Sequence, residues 1–451
     1  MSKPIYSKIY SHSNWLSEPE WQAISDFLDE YSQILAEFTT EMLKRSENSK
    51  LRGRPTKSAE AVLRMLILRR LQKLSFRATQ ELVNDSLALR KFTRVYYESV
   101  PTYSTLCKYD NLLSDDVLKR INEAIVQGAR KRKITRGSKM RVDSTVVEAD
   151  IHHPTDSSLL YDGIRVLSRA AKKCRQLGVA VGEVTRDFTR SAKKQLLKVV
   201  KYARRRSEEG KAEFKKTYRN LIGIANRCVS NAKKLVEAIP EQAAAQAVRV
   251  REQLTHFISL VEQAIDQARR RVLKDEQLHS DEKLLSLFQP DAYVICKGKQ
   301  SKPVEFGKLV EIQQSDGKII TNWKIHSSNV SDTERFVPAV EQHIRSFGRP
   351  PNLATADRGY SSEANENMAS ELGVKRVCLP KRGRKSKKRS VHEKQRWFRA
   401  GQRFRAGIEG TISVLKRRHG FDRCRNRGNN AYERWVGMGV IAYNLAVIAN
   451  S

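Results

Sequence analysis

The sequence predicts an α/β protein in which helices flank a mixed sheet, with an all-α N-terminal domain in front and a helical hairpin inserted. Three observations carry this. The segment KMRVDSTVVEADI is dense in β-branched residues and loses helical periodicity, which places a strand at about 139–149. Strand patterns return only after Pro290, where they alternate with helical ones. The chain between, from about 163 to 287, reads as basic helix. The expected organisation is a helical lead over 1–50, a helical domain over 51–136, an α/β domain built from 137–162 and 288–451, and an insertion over 163–287.

Taken in order, KSAEAVLRMLILRRLQK carries a helical stripe at Val62, Leu63, Leu66, Ile67 and Leu71. Ser75 offers an N-cap to FRATQELVND, and PTYSTLCKYDNLL and SDDVLKRINEAIVQGARKR are each opened by Ser or Thr. Two short helices joined at Leu74-Ser75 fit a helix-turn-helix, whose second helix enters a major groove. They fit an ordinary helical bundle equally well. Upstream, Arg52-Gly53-Arg54-Pro55 matches the core of an AT-hook, in which Arg52 and Arg54 would enter a narrow minor groove. A linker ending in Pro at a helix start satisfies the same four residues.

The insertion contains SAKKQLLKVVKYARRR and FKKTYRNLIGIANRCV, breaks at Ile239-Pro240, and resumes as helix, which is the pattern of a helical hairpin. After Pro290 come AYVICKG, then KLVEIQQ and KIITNWKIH around the turn Ser315-Asp316-Gly317. A helix over about 332–346, the strand NLATAD, a helix over about 362–372, the strand KRVCLP and a long helix over about 393–418 follow. The apolar run VGMGVIAYNLAVIA is shorter than the ~18–20 residues a membrane span needs and contains Asn444, so it reads as a buried helix.

A formal charge of +35, from 85 Lys and Arg against 50 Asp and Glu, repels itself unless a polyanion matches it. Nucleic acid is the expected partner, and no membrane is. The first thirty residues carry Glu18, Glu20, Asp26 and Asp29 and no signal-type apolar stretch, so the expected location is the cytoplasm, on the nucleoid. The six cysteines are scattered, without zinc-site spacing, and read as reduced structural thiols.

Three carboxylates stand where chemistry is expected. Asp143 lies in the first strand, and Asp357 ends a later one directly before Arg-Gly-Tyr and a new helix; ligands of open α/β sheets gather at such strand ends. Glu409 lies in the last long helix, where Trp397, Phe404, Ile408, Thr411 and Leu415 follow the spacing of a packed face. Arg405, Glu409 and Lys416 share another stripe. Three carboxylates brought together repel one another unless cations intervene. Two Mg²⁺ ions about 3.5–4 Å apart, or Mn²⁺ in their place, suit both the hard oxygen ligands and phosphodiester chemistry. Singly, each residue has a plainer role: a strand-end Asp caps a helix, and Arg405 with Glu409 makes an i,i+4 pair.

The segments RVDSTVVEADIHHPTDSSLLYDG, ATADRGYSSEANE and RFRAGIEGTISVLKRRHGFDRCR together resemble the bacterial insertion-sequence DDE transposases over roughly residues 50–451. The resemblance implies an RNase H-like catalytic domain with Asp143, Asp357 and Glu409 as catalytic and metal-binding residues. It also implies that the N-terminal helical domain binds terminal inverted repeats. The expected activity is metal-dependent DNA cleavage and strand transfer on double-stranded element ends and target DNA, by at least a dimer in the synaptic complex. Arg405, Glu409 and Lys416 match the family pattern Y-x-x-R-x-x-x-E-x-x-x-x-x-x-K, and Gln402 stands at its tyrosine. Asp357 follows Asp143 by 214 residues and Glu409 follows Asp357 by 52, the first interval containing the insertion.

Between Lys381 and Arg427 there are 18 Lys and Arg against Glu393, Glu409 and Asp422, the composition of a DNA-backbone track. Lys381, Arg382, Arg384, Arg405, Lys416, Arg417 and Arg418 are its expected contacts. His152, His153 and His326 are either phosphate or proton-transfer groups or ordinary hydrogen-bonding histidines. Trp323 either stacks on an extruded base or packs in the core. Asn329 and Asp332 cap the helix that follows them or favour its positive end, or else reach a metal. Two other functions compete: an RNase H-like nuclease or resolvase without strand transfer, and a transposase-derived DNA-binding regulator, for which the intact carboxylates have no use.

Overall fold

The computed structural model describes residues 19–43, 58–179, 182–280, 282–296, 304–326 and 331–451. Arg52, Arg54 and Asn329 lie outside the described residues, and the minor-groove reading with them. The chain divides into two compact units, residues 1–148 with 308–451, and residues 149–307. The helices that precede the first strand thus belong to the same unit as most of the sheet.

The first unit begins with helices α1 (Pro19–Glu30), α2 (Gln33–Leu43), α3 (Ala59–Leu71), α4 (Phe76–Asp85), α5 (Leu87–Phe92), α6 (Tyr103–Asp110) and α7 (Asp115–Lys131). Ser58, Ser75, Ser86, Thr102 and Ser114 each accept a backbone N–H of the first turn that follows, so the Ser and Thr signals mark real N-caps. The helix α3 is buried on every side from Ala61 to Arg70, as the central helix of a bundle must be. Its three arginines are therefore all paired inside the protein. Arg64 meets Asp29 and Glu60, Arg69 lies 4.0 Å from Asp110, and Arg70 donates to the carbonyls of His419 (2.6 Å) and Trp435 (2.8 Å). Its guanidinium lies 3.9 Å from the centre of the Trp435 ring, a cation–π contact.

Strand β1 (Lys139–Ala149) has the limits its β-branched residues predict. In this unit the sheet continues with most of β3 (Val304–Ser315), then β4 (Ile320–His326), β5 (Leu353–Thr355), β6 (Arg376–Cys378) and a two-residue β7 (Arg423–Cys424). The order is β3-β1-β5-β6, with β4 on the side of β3 and β7 on β1. Strands β1, β5 and β6 are parallel, whereas β3 and β4 form an antiparallel hairpin turned at Gly317, whose φ of 71° favours glycine. Helices α12 (Phe336–Phe347) and α13 (Glu363–Glu371) separate the parallel strands. The long helix expected over about 393–418 is α15 (Arg396–Arg418); a short helix that was not expected, α14 (Lys387–Lys394), precedes it, and Gln395 between the two is extended, with ψ 144°. The apolar run near the C-terminus lies in α16 (Asn429–Ala449), whose Tyr432, Val436, Val440, Ile441 and Leu445 are fully buried. Among the described residues no helix is long and apolar enough to cross a membrane.

One hydrophobic core joins α1–α7 to α16, β3 and β4. Trp323 belongs to it, 1% exposed, its Nε1 donating to Asp115 Oδ1 (3.2 Å), so the core reading of this residue holds and the base-stacking one does not. His419, 3% exposed, is pushed down to about 3 by burial and then by Arg70, Arg418 and Lys73. The folded protein therefore keeps it neutral where the unfolded chain, at an ordinary value of 6.5, takes up a proton. The unfolded state binds more protons across that window, and stability is expected to fall by about 1.4 kcal/mol per pH unit descended from 6.5 towards 3 on this group's account. Unfolding free energies measured against pH for the wild type and His419→Gln check this: the variant should have the shallower slope.

The second unit is mostly helical: α8 (Asp156–Gln176), α9 (Thr189–Tyr202), α10 (Glu208–Ala238) and α11 (Ala245–Ala268), then a π-turn over Arg269–Leu273. The long hairpin read around Ile239-Pro240 is formed by α10 and α11, and α8 and α9 pack with it around Leu160, Ile164, Leu221, Leu254 and Val261. Strand β2 (Tyr293–Cys296) pairs antiparallel with the first four residues of β3. His152 is held by Asp162 (2.8 Å), which raises its pKa, and His153 lies edge-on to Phe306, so both make ordinary structural contacts.

Candidate active site

The parallel register of β1 and β5 pairs Lys139 with Leu353, Met140 with Ala354 and Arg141 with Thr355. Carried forward by two residues, it sets Asp143 level with Asp357, just past the end of β5. Side chains two apart on a strand share a face. On that face Arg141 donates to Gln314 Oε1 (2.7 Å) and to the carbonyl of Phe404 in α15, and a Cβ on Gly407 would collide with its Nη1. The face that carries Asp143 is thus the one packed against α15. Ile408, Thr411 and Leu415 are buried along that helix as their spacing predicts, and Trp397 and Phe404 are half-buried.

This packing brings the first and third carboxylates to one guanidinium. Arg405 Nη1 donates to Glu409 Oε1 (2.9 Å), and its Nη2 lies 3.7 Å from Asp143 Oδ2. Asp143 is 15% exposed and also accepts the N–H of Ser144 (2.7 Å), whereas Glu409 is 64% exposed. The i,i+4 pair read from the sequence is real, and the same arginine has a second carboxylate that spacing could not show. Asp357 accepts the N–H of Gly359 (2.8 Å) and so caps the short turn Arg358–Tyr360.

Around Asp357 lie Asp332 and His326, which the sequence singled out, together with Glu311, Arg335, Tyr360 and Asn365, which it did not. A Cβ on Gly359 would run into Asp332 Oδ2 and come within 3.1 Å of Asp357 Oδ1, so only glycine lets these two carboxylates approach. Asp332 makes no cap; it pairs with Arg335, which is 3% exposed and lies 3.6 Å from Glu311 Oε2. His326 lies 3.7 Å from the same oxygen. Tyr360, 1% exposed, sits with its ring 5.4 Å from the Arg335 guanidinium. Burial, then the charge of Glu311, with smaller contributions from Asp143 and Asp357, holds its hydroxyl well above the usual tyrosine range, so it stays protonated. Asn365 ties the two turns together by donating to the carbonyls of Thr333 and Tyr360, both at 2.8 Å. Tyr360 was within reach of sequence reasoning, three residues after Asp357; Glu311 and Arg335 come from distant segments and carry no shared signal.

Among the described residues no three His, Cys, Asp or Glu side chains form a ready metal cage. The donor set nevertheless suits a hard cation. Asp143, Asp357 and Glu409 offer only carboxylate oxygens, and Arg405 brings one positive charge to Asp143 and Glu409. Its guanidinium stands between two of them, where a positive charge is called for.

Of the residues expected to contact DNA, Lys381, Arg382, Arg384, Arg417 and Arg418 are exposed and Lys416 is half-buried. Arg405 is committed to carboxylates instead. Gln402, at the position of the pattern's tyrosine, donates to Cys378 Sγ (3.2 Å) in β6. Ser361 and Ser362, directly after the Asp357 turn, line an open groove of about 660 Å³ that also carries Lys381, Arg382 and Lys388.

Two family models match the sequence: a transposase domain (DUF772) over residues 15–112 and a transposase DDE domain over residues 310–445. The second begins within β3 and includes Asp357 and Glu409; Asp143 precedes it. No curated protein and no solved structure matches the chain. The DDE domain implies an RNase H-like fold, in keeping with a mixed sheet flanked by helices. The two matches together span just over half of the chain, and they agree with the level carboxylates of β1 and β5: the chain belongs to the insertion-sequence DDE transposases, enzymes that act on DNA.

Proposed function

We propose that this transposase recognises the terminal inverted repeats of its element with the helices of 51–136, and that Asp143, Asp357 and Glu409 are the centre at which it cleaves those ends and joins them to target DNA. The observation that carries the reading is the sharing of Arg405 by Asp143 and Glu409 beside a strand end level with Asp357. Divalent ions, two Mg²⁺ with Mn²⁺ as a substitute, would be held by these three carboxylates and would stabilise the attacking and leaving oxygens of a phosphodiester.

The protein's own groups supply position. Arg405 offsets the repulsion between Asp143 and Glu409 and keeps the exposed glutamate directed at the strand end. The buried Tyr360 closes the floor behind Asp357, and its protonated hydroxyl cannot serve as a base. Lys381, Arg382 and Lys388 neutralise backbone phosphates along the groove that opens after the Asp357 turn. Joining two ends to one target requires both to be held at once, so the working form is at least a dimer.

Incubation of the full chain with duplexes carrying the element's ends and Mg²⁺, resolved on a denaturing gel, tests the reading. The expected products are strands cut at the element boundary and longer strands joined to target. Cleavage without joined product would mark a nuclease or resolvase, and specific binding without cleavage would mark a regulator.

A further inference from the structure

The second unit carries a basic face that has no acidic partner among the described residues. From Arg190 to Arg206 there are eight Lys and Arg and no acidic residue, Asp187 and Glu208 being the nearest in sequence on either side. All eight are exposed. Five of them, Arg190, Lys193, Lys194, Lys198 and Lys201, lie on α9. At 100° per residue they fall within an arc of roughly 140°, opposite the buried Ala192 and Val199. Arg204, Arg205 and Arg206 follow at the end of the helix, with Arg205 stacked on Tyr202 (5.2 Å).

The rest of the unit shows what its cations ordinarily do. Lys211 pairs with Glu208 (2.6 Å), Lys216 with Glu213 (3.1 Å), Lys233 with Glu262 (2.7 Å) and Arg271 with Asp156 (2.9 Å). Among the described residues none of the eight from Arg190 to Arg206 has such an ion pair. The cations of the unit's other helices are thus partly matched by acidic neighbours, whereas α9 and the arginines after it gather eight exposed cations without one. Concentrated charge of one sign is costly to the fold and is offset by a polyanion.

We propose that α9 and the arginines after it form a second contact surface for duplex DNA, one that grips the phosphate backbone. The proposal rests on DNA as the substrate and not on the three carboxylates. From Arg190 to Lys201 the face runs roughly 17 Å, at 1.5 Å per residue, longer than the ~12 Å width of a major groove. Its cations thus reach phosphates on both sides of a groove. Leu197 and Val200, 61% and 53% exposed, lie on the same side of the helix and add apolar contact to the sugars between those phosphates. Such a surface reads no base sequence, so it strengthens binding to any duplex.

The test uses the full chain and a fluorescent duplex of unrelated sequence, with Kd measured from about 0.05 to 0.3 M KCl. A variant combining Lys193→Gln, Lys194→Gln, Lys198→Gln and Lys201→Gln should flatten the log–log salt slope by roughly 3 to 4, at about 0.9 per phosphate contact, and bind at least about tenfold more weakly near 0.15 M. A milder pair, Lys194→Gln with Lys198→Gln, should flatten the slope by nearly 2 and guards against misfolding of the fourfold variant. An unchanged slope in both variants would overturn the proposal. Loss of binding to anionic phosphatidylglycerol vesicles with duplex binding intact would overturn it in favour of a lipid surface. A wild-type chain that binds no duplex at all would remove the functional reading as well, whereas wild-type binding that the variants retain removes only this one.

Discussion

Asp143→Asn, Asp357→Asn and Glu409→Gln are each expected to slow cleavage of an element end on the order of a thousandfold or more, while Kd for the same duplex changes less than about threefold. The substitutions are mild where structure is concerned. Asn at 357 still accepts the Gly359 N–H, so the turn it caps survives. Asn at 143 still accepts from Ser144. Gln at 409 loses an exposed i,i+4 pair worth about 0.3 kcal/mol. What each change removes is a negative charge, and hard cations bind neutral amides poorly. Cleavage rates on end duplexes with matched binding curves separate the two effects. Near-native cleavage by Asp357→Asn would reduce that residue to its cap, and near-native cleavage by Glu409→Gln would reduce that one to a surface ion pair.

Removal of residues 51–130 should abolish cooperative folding of the first unit. Helices α3, α4, α6 and α7 place Val62, Leu66, Ile67, Leu68, Val83, Leu106, Leu118, Ile121 and Ile125 in the same core as α16 and the β3–β4 hairpin. Each buried aliphatic side chain contributes about 1.5–3 kcal/mol, so these nine together, at roughly 13–27 kcal/mol, match or exceed the ~5–15 kcal/mol by which a typical domain is stable. The deletion also strips Asn444 and the carbonyl of Ile320 of their bonds to Asn122. Circular dichroism during heating is the check: the deleted chain should melt without a cooperative transition, and a sharp transition near the wild-type temperature would show that the sheet stands without those helices.

The parts of this fold legible in the sequence are those set by local chemistry. The β-branched run gave β1 its limits, Ser75 and Ser114 cap the helices they were expected to start, and the spacing of Ile408, Thr411 and Leu415 marked the buried side of α15. Helix α14 was hidden because it buries no residue and so carries no apolar stripe. Strand β7 is two residues long, too short for any periodicity. At the site, the pairing of Arg405 with Glu409 follows from helical spacing, but its approach to Asp143 depends on α15 packing across β1, which no local pattern encodes. The contact of Arg335 with Glu311 joins a turn to a strand in the same way. Asp332 lies in the first turn of a short helix, as local reasoning expects, but its contacts with Arg335 and the Gly359 turn depend on the tertiary fold.

Whether Asp143, Asp357 and Glu409 hold metal as one centre is tested most directly by replacing Mg²⁺ with Fe²⁺ and letting ascorbate and peroxide generate hydroxyl radicals at the bound iron. Fe²⁺ binds a given oxygen site at least as well as Mn²⁺, and the radicals cut only backbone close to their source. Mass spectrometry of the fragments should show breaks near residues 143, 357 and 409 together, suppressed by excess Mg²⁺ and lost at all three places in Asp143→Asn. Breaks at one of the three alone, or breaks that persist unchanged in that variant, would contradict a shared centre.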